Sequence, residues 1–349
     1  MALGAGLVGQ RAAAQTPAAP APAPGSGPGT NASFEPFDFV ALGDMPYGPD
    51  LIRGPAYRHL IDQINALNLR FAIHVGDFKD GLAACTDAEF ALQHQHFQRF
   101  AQALVYTPGD NDWLDCQRRG DDPLERLQAL RQRFFAGPLS QGQKPLALER
   151  QADVMPAFAR YVENQRWRHQ GVVFATFHTV GPDNAMNEPQ APLRDEARAR
   201  EAANAAWISA AFALARSQGA RALVLATQAE TLTYPDRNQP HRGTVRDSFA
   251  TSISHTLLPL AEAAPHPVLL IHGDTHTHII DRPFRNPQGQ KINNLWRLEV
   301  FGEPRMHAVR VRINPPVVGQ GVAEARPFAF TLLWNALSPD PRMSARTDP

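Results

Sequence analysis

The stretch YTPGDNDWLDC, residues 106 to 116, ends an apolar run with three aspartates, an asparagine and a cysteine crowded into a few positions. Carboxylates this close repel one another unless positive charge sits among them, and a metal ion is the simplest source. The same arrangement, an apolar run that stops at Gly-Asp, recurs at Gly43-Asp44, Gly76-Asp77 and Gly273-Asp274. Composition alone would supply roughly one or two Gly-Asp pairs, so shared placement at the ends of apolar runs is the informative feature. Glycine before each acid lets the backbone turn sharply and approach an ion. Oxygen and imidazole donors suit hard or borderline ions: manganese, iron, magnesium, calcium or zinc. Two such ions sharing a carboxylate, about 3.5 to 4 Å apart, can activate water and clamp a phosphate ester.

Such acids need rigid elements to bring them together. FDFVALGDMPYG (37–48) reads as a strand that stops at Gly43-Asp44, and Leu60, Ile61, Ile64, Leu67 and Leu69 then recur near the helical period. RFAIHVGDFKDG repeats the strand and corner, and DAEFALQHQHFQRFAQA leads as a second helix into LVYTPGDNDW. Strands alternating with helical crossovers predict parallel pairing, with the acidic corners on one sheet edge. GVVFATFHTVGPDNA and RALVLATQAE read as further buried strands around an alanine-rich helix whose stripe runs through Trp207, Ala211 and Leu214. HPVLLIHGDTHTHIIDRPF supplies the fourth corner, and LWRLEVFGEPRMHAVRVRINP alternates like a hairpin. Open α/β sheets bind ligands where their strands end.

In order and spacing, GDMPYG, GDFKDG, GDNDW and HGDTHTH resemble the motif blocks of the calcineurin-like metallophosphoesterases, in a divergent bacterial branch, over about residues 36 to 315. The resemblance implies a four-layer α/β/β/α sandwich of two mixed sheets flanked by helices. It also implies a site for two divalent or mixed-valence metal ions and hydrolysis of phosphate mono- or diesters. Carried over position by position, Asp44 would ligate the first metal, Asp77 would bridge both, Asp110 would replace the asparagine ligand of the third block, and His276 would be the final histidine. A register shifted by one makes Asn111 the ligand in place of Asp110.

Departures from the family pattern move the site from nitrogen towards oxygen. Pro46 stands where the first block has a histidine, Gln228 where the fourth block has one, and Asp274 where the last pair begins. Asn111 takes the place of the histidine that assists the leaving group, and an amide cannot donate that proton. The candidate catalytic residues are therefore Asn111, Asp112, His272 and His278, the last two as substitute acids. Plainer roles stand beside several of these and of their neighbours: Asp112 capping its turn, His272 and His74 as core histidines, Asp80 as a cap, Asn184 in turn chemistry. Tyr47 either packs over its loop or stands in for the histidine absent at position 46.

Charge excludes little except a global field: Lys plus Arg and Asp plus Glu number 34 each, which favours neither nucleic acid nor an anionic membrane. The expected partner is a phosphate-ester small molecule or a phosphorylated substrate. Residues 1–34 read as an export signal whose start lies upstream, followed by a Pro/Ala/Gly tether; 35–335 form the metallophosphoesterase-like domain and 336–349 a flexible tail. No later run is long enough to span a bilayer. Cys85 and Cys116 suit one disulfide in an exported chain, with two buried thiols as the other reading. Against the enzyme stands a non-catalytic binding or scaffold protein with a degenerate metal site, favoured by the missing histidines at 46 and 111.

Overall fold

The computed structural model describes residues 1–2, 35–234, 243–314, 326–339 and 346–347; almost all of the expected leader over 1–34 lies outside them. Two sheets carry the domain. The first contains β1 (Phe37–Leu42), β2 (Phe71–His74), β3 (Ala103–Tyr106), β13 (Ala308–Ile313) and β14 (Phe328–Leu333), in the order β14-β13-β1-β2-β3. The second contains β4 (Glu149–Arg150), β5 (Gln165–His169), β6 (Val172–Thr176), β7 (Ala222–Ala226), β10 (Val268–His272), β11 (Ile279–Asp281), β12 (Leu295–Glu299) and β15 (Arg346–Thr347). Its order is β15-β11-β12-β10-β7-β6-β5-β4, and a short ribbon joins β8 (Leu232–Thr233) to β9 (Thr244–Val245).

Both sheets are mixed. β1, β2 and β3 run parallel, and so do β6, β7, β10 and β12. β2, β3, β6, β7 and β10 are buried along their whole length, which explains why they read as continuous apolar runs without alternation. Phe39, Phe71, Ile73 and Val105 of the first sheet meet Phe174, Val224, Leu269 and Ile271 of the second in one core. Helices Asp50–Ala66, Asp87–Phe97 and Pro123–Phe134 cover the outer face of the first sheet with Leu60, Ile64, Phe97, Leu130 and Phe134. Helix Ala191–Ser217 covers the second, its Trp207 Nε1 donating to Thr176 O at 3.1 Å. The layer order is α/β/β/α.

Local signals place these helices. Thr86 Oγ1 accepts from Glu89 N at 3.1 Å and Asp122 Oδ1 from Leu124 N at 2.9 Å, each capping the helix that follows. Cys85 and Cys116 form a disulfide with Cα atoms 5.6 Å apart, fastening the start of the second helix to the turn that follows Asp110.

One expectation needs correction. The hairpin expected over 295–313 does not form, because β12 pairs parallel with β10 in one sheet while β13 pairs antiparallel with β1 in the other. Alternation marks a half-buried strand but says nothing about its partner. Near the chain's last described residues, Ser338 Oγ accepts from Met306 N at 2.9 Å, and β15 pairs with β11.

Candidate metal centre

Strand register sets the site. Leu42 pairs with His74 and His74 with Tyr106, so the corners at Asp44, Asp77 and Asp110 follow neighbouring strand ends. Ile271 pairs with Ala226 in the second sheet, which brings the corner at Asp274 beside Gln228. Asp44, Asp77, Asp274 and His276 all adopt positive φ, between 53° and 81°, a region that L side chains rarely enter and that clusters at functional sites. A Cβ at Gly109 would overlap Asp77 Oδ1 and one at Gly273 would overlap Asp44 Oδ2, so the carboxylates occupy space that only glycine leaves free.

Short contacts join the corners. Asp274 N donates to Asp44 Oδ1 at 2.9 Å, and Asn111 N donates to Asp77 Oδ1 at 3.0 Å. Gln228 Nε2 donates to Asp77 Oδ2 at 3.0 Å. The Tyr47 hydroxyl donates to the same oxygen at 3.3 Å and accepts from Asn111 Nδ2 at 2.9 Å. His276 Nδ1 donates to Glu303 O at 2.7 Å, which leaves the lone pair on Nε2. That nitrogen lies 3.3 Å from the Tyr47 hydroxyl and 3.7 Å from Asp44 Oδ1.

Electrostatics inside the cluster are unfavourable to bare carboxylates. Burial pushes Asp44, Asp77 and Asp110 well above the usual carboxylate range; neighbouring aspartates push further, Asp274 on Asp44 and Asp110 on Asp77. Asp274 is raised to about 7 and Asp112 to about 6, again mainly by burial. Asp44 Oδ2 and Asp110 Oδ1 are buried without a hydrogen-bond partner. Two orphaned oxygens, an imidazole lone pair and a surplus of negative charge fit a centre for hard or borderline cations.

The remaining candidates fall in different places. Asp112 is fully enclosed: its oxygens accept from Gly109 N, Asp77 N, Phe78 N and the Tyr106 hydroxyl at 2.7 to 3.0 Å. It therefore shapes the corners and does not present a free oxygen. Gln228 Oε1 accepts from Gly181 N at 2.9 Å, so its amide nitrogen, and not a ligating oxygen, meets Asp77. His278 is buried against the Phe301 ring, its Nδ1 donating to Glu299 O at 2.9 Å, and no hydrogen bond or ion pair among the described residues joins it to the aspartates. His272 is likewise enclosed, with Glu230 and Glu299 near it. Asp80 accepts from Leu82 N, and Asn184 packs against Arg200 and Glu201, both in structural roles.

Sequence reasoning passed over Glu303, whose carbonyl fixes the His276 tautomer and whose carboxylate accepts from Tyr47 N at 3.3 Å. Gly302-Glu303 is itself a glycine-acid corner at the end of a strand, a signal hidden by restricting the pattern to aspartate. It also passed over Lys79, a buried lysine whose ammonium donates to Asp80 O at 3.2 Å.

No protein-family model matches the chain, and no curated protein sequence matches it. Among solved structures it is similar to a dimetal phosphatase from Danio rerio at 11% identity and a TM-score of 0.47, over 85% of this chain and 98% of that one. It is similar to a purple acid phosphatase from yellow lupin at 11% and 0.45, over 80% of this chain and 50% of that one. TT1561 of Thermus thermophilus gives 11% and 0.43, over 84% and 98%. In motif order and layer order, the chain resembles the calcineurin-like metallophosphoesterases. At positions 46, 228 and 274, where the resemblance would put histidines, this chain has proline, glutamine and aspartate.

Proposed function

We propose that this chain is an exported metal-dependent hydrolase of phosphate mono- or diesters. The observation that carries the reading is the pair of orphaned, buried oxygens on Asp44 and Asp110, within a cluster of four aspartates drawn from both sheets. Asp44, Asp77, Asp110, Asp274 and His276 are the residues that would hold the ions. Ions bound there supply Lewis acidity towards phosphate oxygens and lower the pKa of water.

The chain's own groups do the positioning. Glu303 O keeps the His276 lone pair on Nε2, while Gln228 and Tyr47 donate to Asp77 Oδ2 and hold that carboxylate in place. Burial, then the charges of Asp77 and Asp44, push the Tyr47 phenol well above its usual value, so it keeps its proton and remains a donor. Asp112 secures the Asp77 and Gly109 amides. Asn111 turns its amide to the Tyr47 hydroxyl and offers no acidic proton to a departing oxygen. Esters with good leaving groups are therefore the expected substrates. An oxidising compartment agrees with the Cys85–Cys116 disulfide, and no helix among the described residues is long and apolar enough to cross a membrane.

The test is hydrolysis of aryl phosphate mono- and diesters by purified protein supplied with manganese, iron, magnesium, calcium or zinc. Turnover that survives both chelation and Asp77→Ala would remove the proposal. A second reading, a non-catalytic binding protein, is favoured by Pro46 and Asn111 in place of histidines. Bound metal without turnover of any ester would select it.

A further inference from the structure

Glu230, His272 and Glu299 form a second cluster in the second sheet, and one potential ligand atom of each lies within 4.8 Å of the others. Their placement follows from register: His272 and Glu299 are paired residues at the ends of β10 and β12, and Glu230 follows β7, the other neighbour of β10. All three are buried, with exposures of 2%, 1% and 0%. Neither His272 Nε2 nor Glu299 Oε2 has a hydrogen-bond partner. An orphan on a fully buried carboxylate and another on a fully buried imidazole of the same cluster demand a partner.

The donor chemistry says which kind. His272 Nδ1 donates to Gly273 O at 2.9 Å, so the orphaned Nε2 carries a lone pair and cannot satisfy a carboxylate oxygen. Glu299 Oε1 already accepts from Thr277 N at 3.1 Å and from the Thr275 hydroxyl, which leaves Oε2 as the unpartnered oxygen. Glu230 is anchored by Leu232 N at 2.9 Å, the Tyr234 hydroxyl at 2.8 Å and Arg297 Nη1 at 2.8 Å. Arg297 is in turn balanced by Asp281, with Nε to Oδ1 at 2.8 Å and Nη2 to Oδ2 at 2.7 Å. In their ionised form Glu230 and Glu299 would together match the charge of one divalent ion, and Asp281 already answers Arg297. Bonds of about 2.0 to 2.4 Å from a central ion reach ligand atoms separated by up to about 4.8 Å.

We propose that Glu230, His272 and Glu299 bind a third divalent cation, of the zinc or manganese class, separate from the pair proposed at the aspartate corners. One imidazole and two carboxylates suit those metals, and the secondary contacts that orient each ligand are in place. The ion tethers the ends of β7, β10 and β12. Through Glu299 and its threonine donors it braces the loop from Gly273 to His278, which carries Asp274 and His276. Its role is positional.

Metal content measured by mass spectrometry on gel-filtered protein separates this site from the other. In Asp77→Asn, where the paired ions are expected to be lost, one ion per chain should remain, and adding Glu299→Gln should remove it. Folded Asp77→Asn protein without metal, or an ion that persists after Glu299→Gln, would overturn the proposal. Wild-type crystals grown with zinc or manganese give a measurement that needs no variant. An anomalous peak beside His272 Nε2 and Glu299 Oε2 is the expected result, and its absence refutes the third site whatever appears at Asp44 and Asp77. A peak at His272 with none at the aspartates would support the third ion while removing the hydrolase reading.

Discussion

The backbone amide of Asp274 donates to Asp44 Oδ1 at 2.9 Å, joining a corner of the second sheet to a corner of the first. The cluster thus belongs to neither sheet alone, and its charge is shared across the core between them. That sharing has consequences for stability as well as for chemistry.

Replacing Asp77 by asparagine removes one charge from the cluster and keeps an oxygen for Gln228 and Tyr47. In chelator, Asp77→Asn is expected to unfold at higher urea than wild type, by about 1 kcal/mol, because repulsion among buried carboxylates is relieved. With manganese present the order should reverse, and ester hydrolysis should fall at least about 100-fold. Equal stability of the two proteins under both conditions would show that Asp77 neither repels its neighbours nor meets a cation.

Asp112 is expected to matter through folding. Alanine there strands three backbone amides and the Tyr106 hydroxyl, and about 3 to 5 kcal/mol of stability should be lost, with asparagine between alanine and wild type. Equilibrium urea denaturation measures it. A loss under about 1 kcal/mol for the alanine variant would mean that water replaces the carboxylate easily.

Proton linkage gives a signed expectation. Asp112 and Asp274 are held at about 6 and about 7 in the folded chain, above an ordinary aspartate near 3.8, so the folded state binds more protons between those values. Their favourable contribution is complete at pH below about 3.8 and is lost as pH rises through about 6 to 7. Metal-free protein should therefore melt at progressively lower temperature from pH 5 to pH 8, other titrations held in view by a matching Asp274→Asn scan. Added manganese should oppose the decline, since ligands bind metal in their deprotonated form. A melting temperature that climbs over this range in chelator, and does so equally in Asp274→Asn, contradicts the expectation.

Reduction of Cys85–Cys116 opens a loop of 31 residues that contains Asp110 and Asn111. About 3 to 4 kcal/mol of stability should go with it. Weaker metal binding should follow as the third corner loosens, read by competition with a fluorescent chelator in the presence and absence of dithiothreitol.

Much of this was readable in the sequence because strand ends announce themselves. Continuous apolar runs with glycine and an acid after them identified β1, β2, β3 and β10 and brought Asp44, Asp77, Asp110 and Asp274 into one group. Sheet partners were not readable, since β12 and β13 alternate alike yet enter different sheets. Side-chain duties were not readable either. Gln228 and Asp112 carry the right donor atoms, but Gly181 N takes the glutamine oxygen and four donors surround the aspartate, facts that exist only once distant segments meet. Tyr47 illustrates the limit from the other side, because its phenol touches Asp77, Asn111 and His276, residues from three separate corners.

β1 pairs with β2 on one edge and with β13 on the other, Phe37 opposite Ile313. That second edge stays unsatisfied until Ala308–Ile313 has been made and has docked, and until then Gly302 and Glu303 are not held over Asp44 and His276. Edges left open in this way attract other strands. A product cut short before Ala308 should therefore require a chaperone to keep it from clumping.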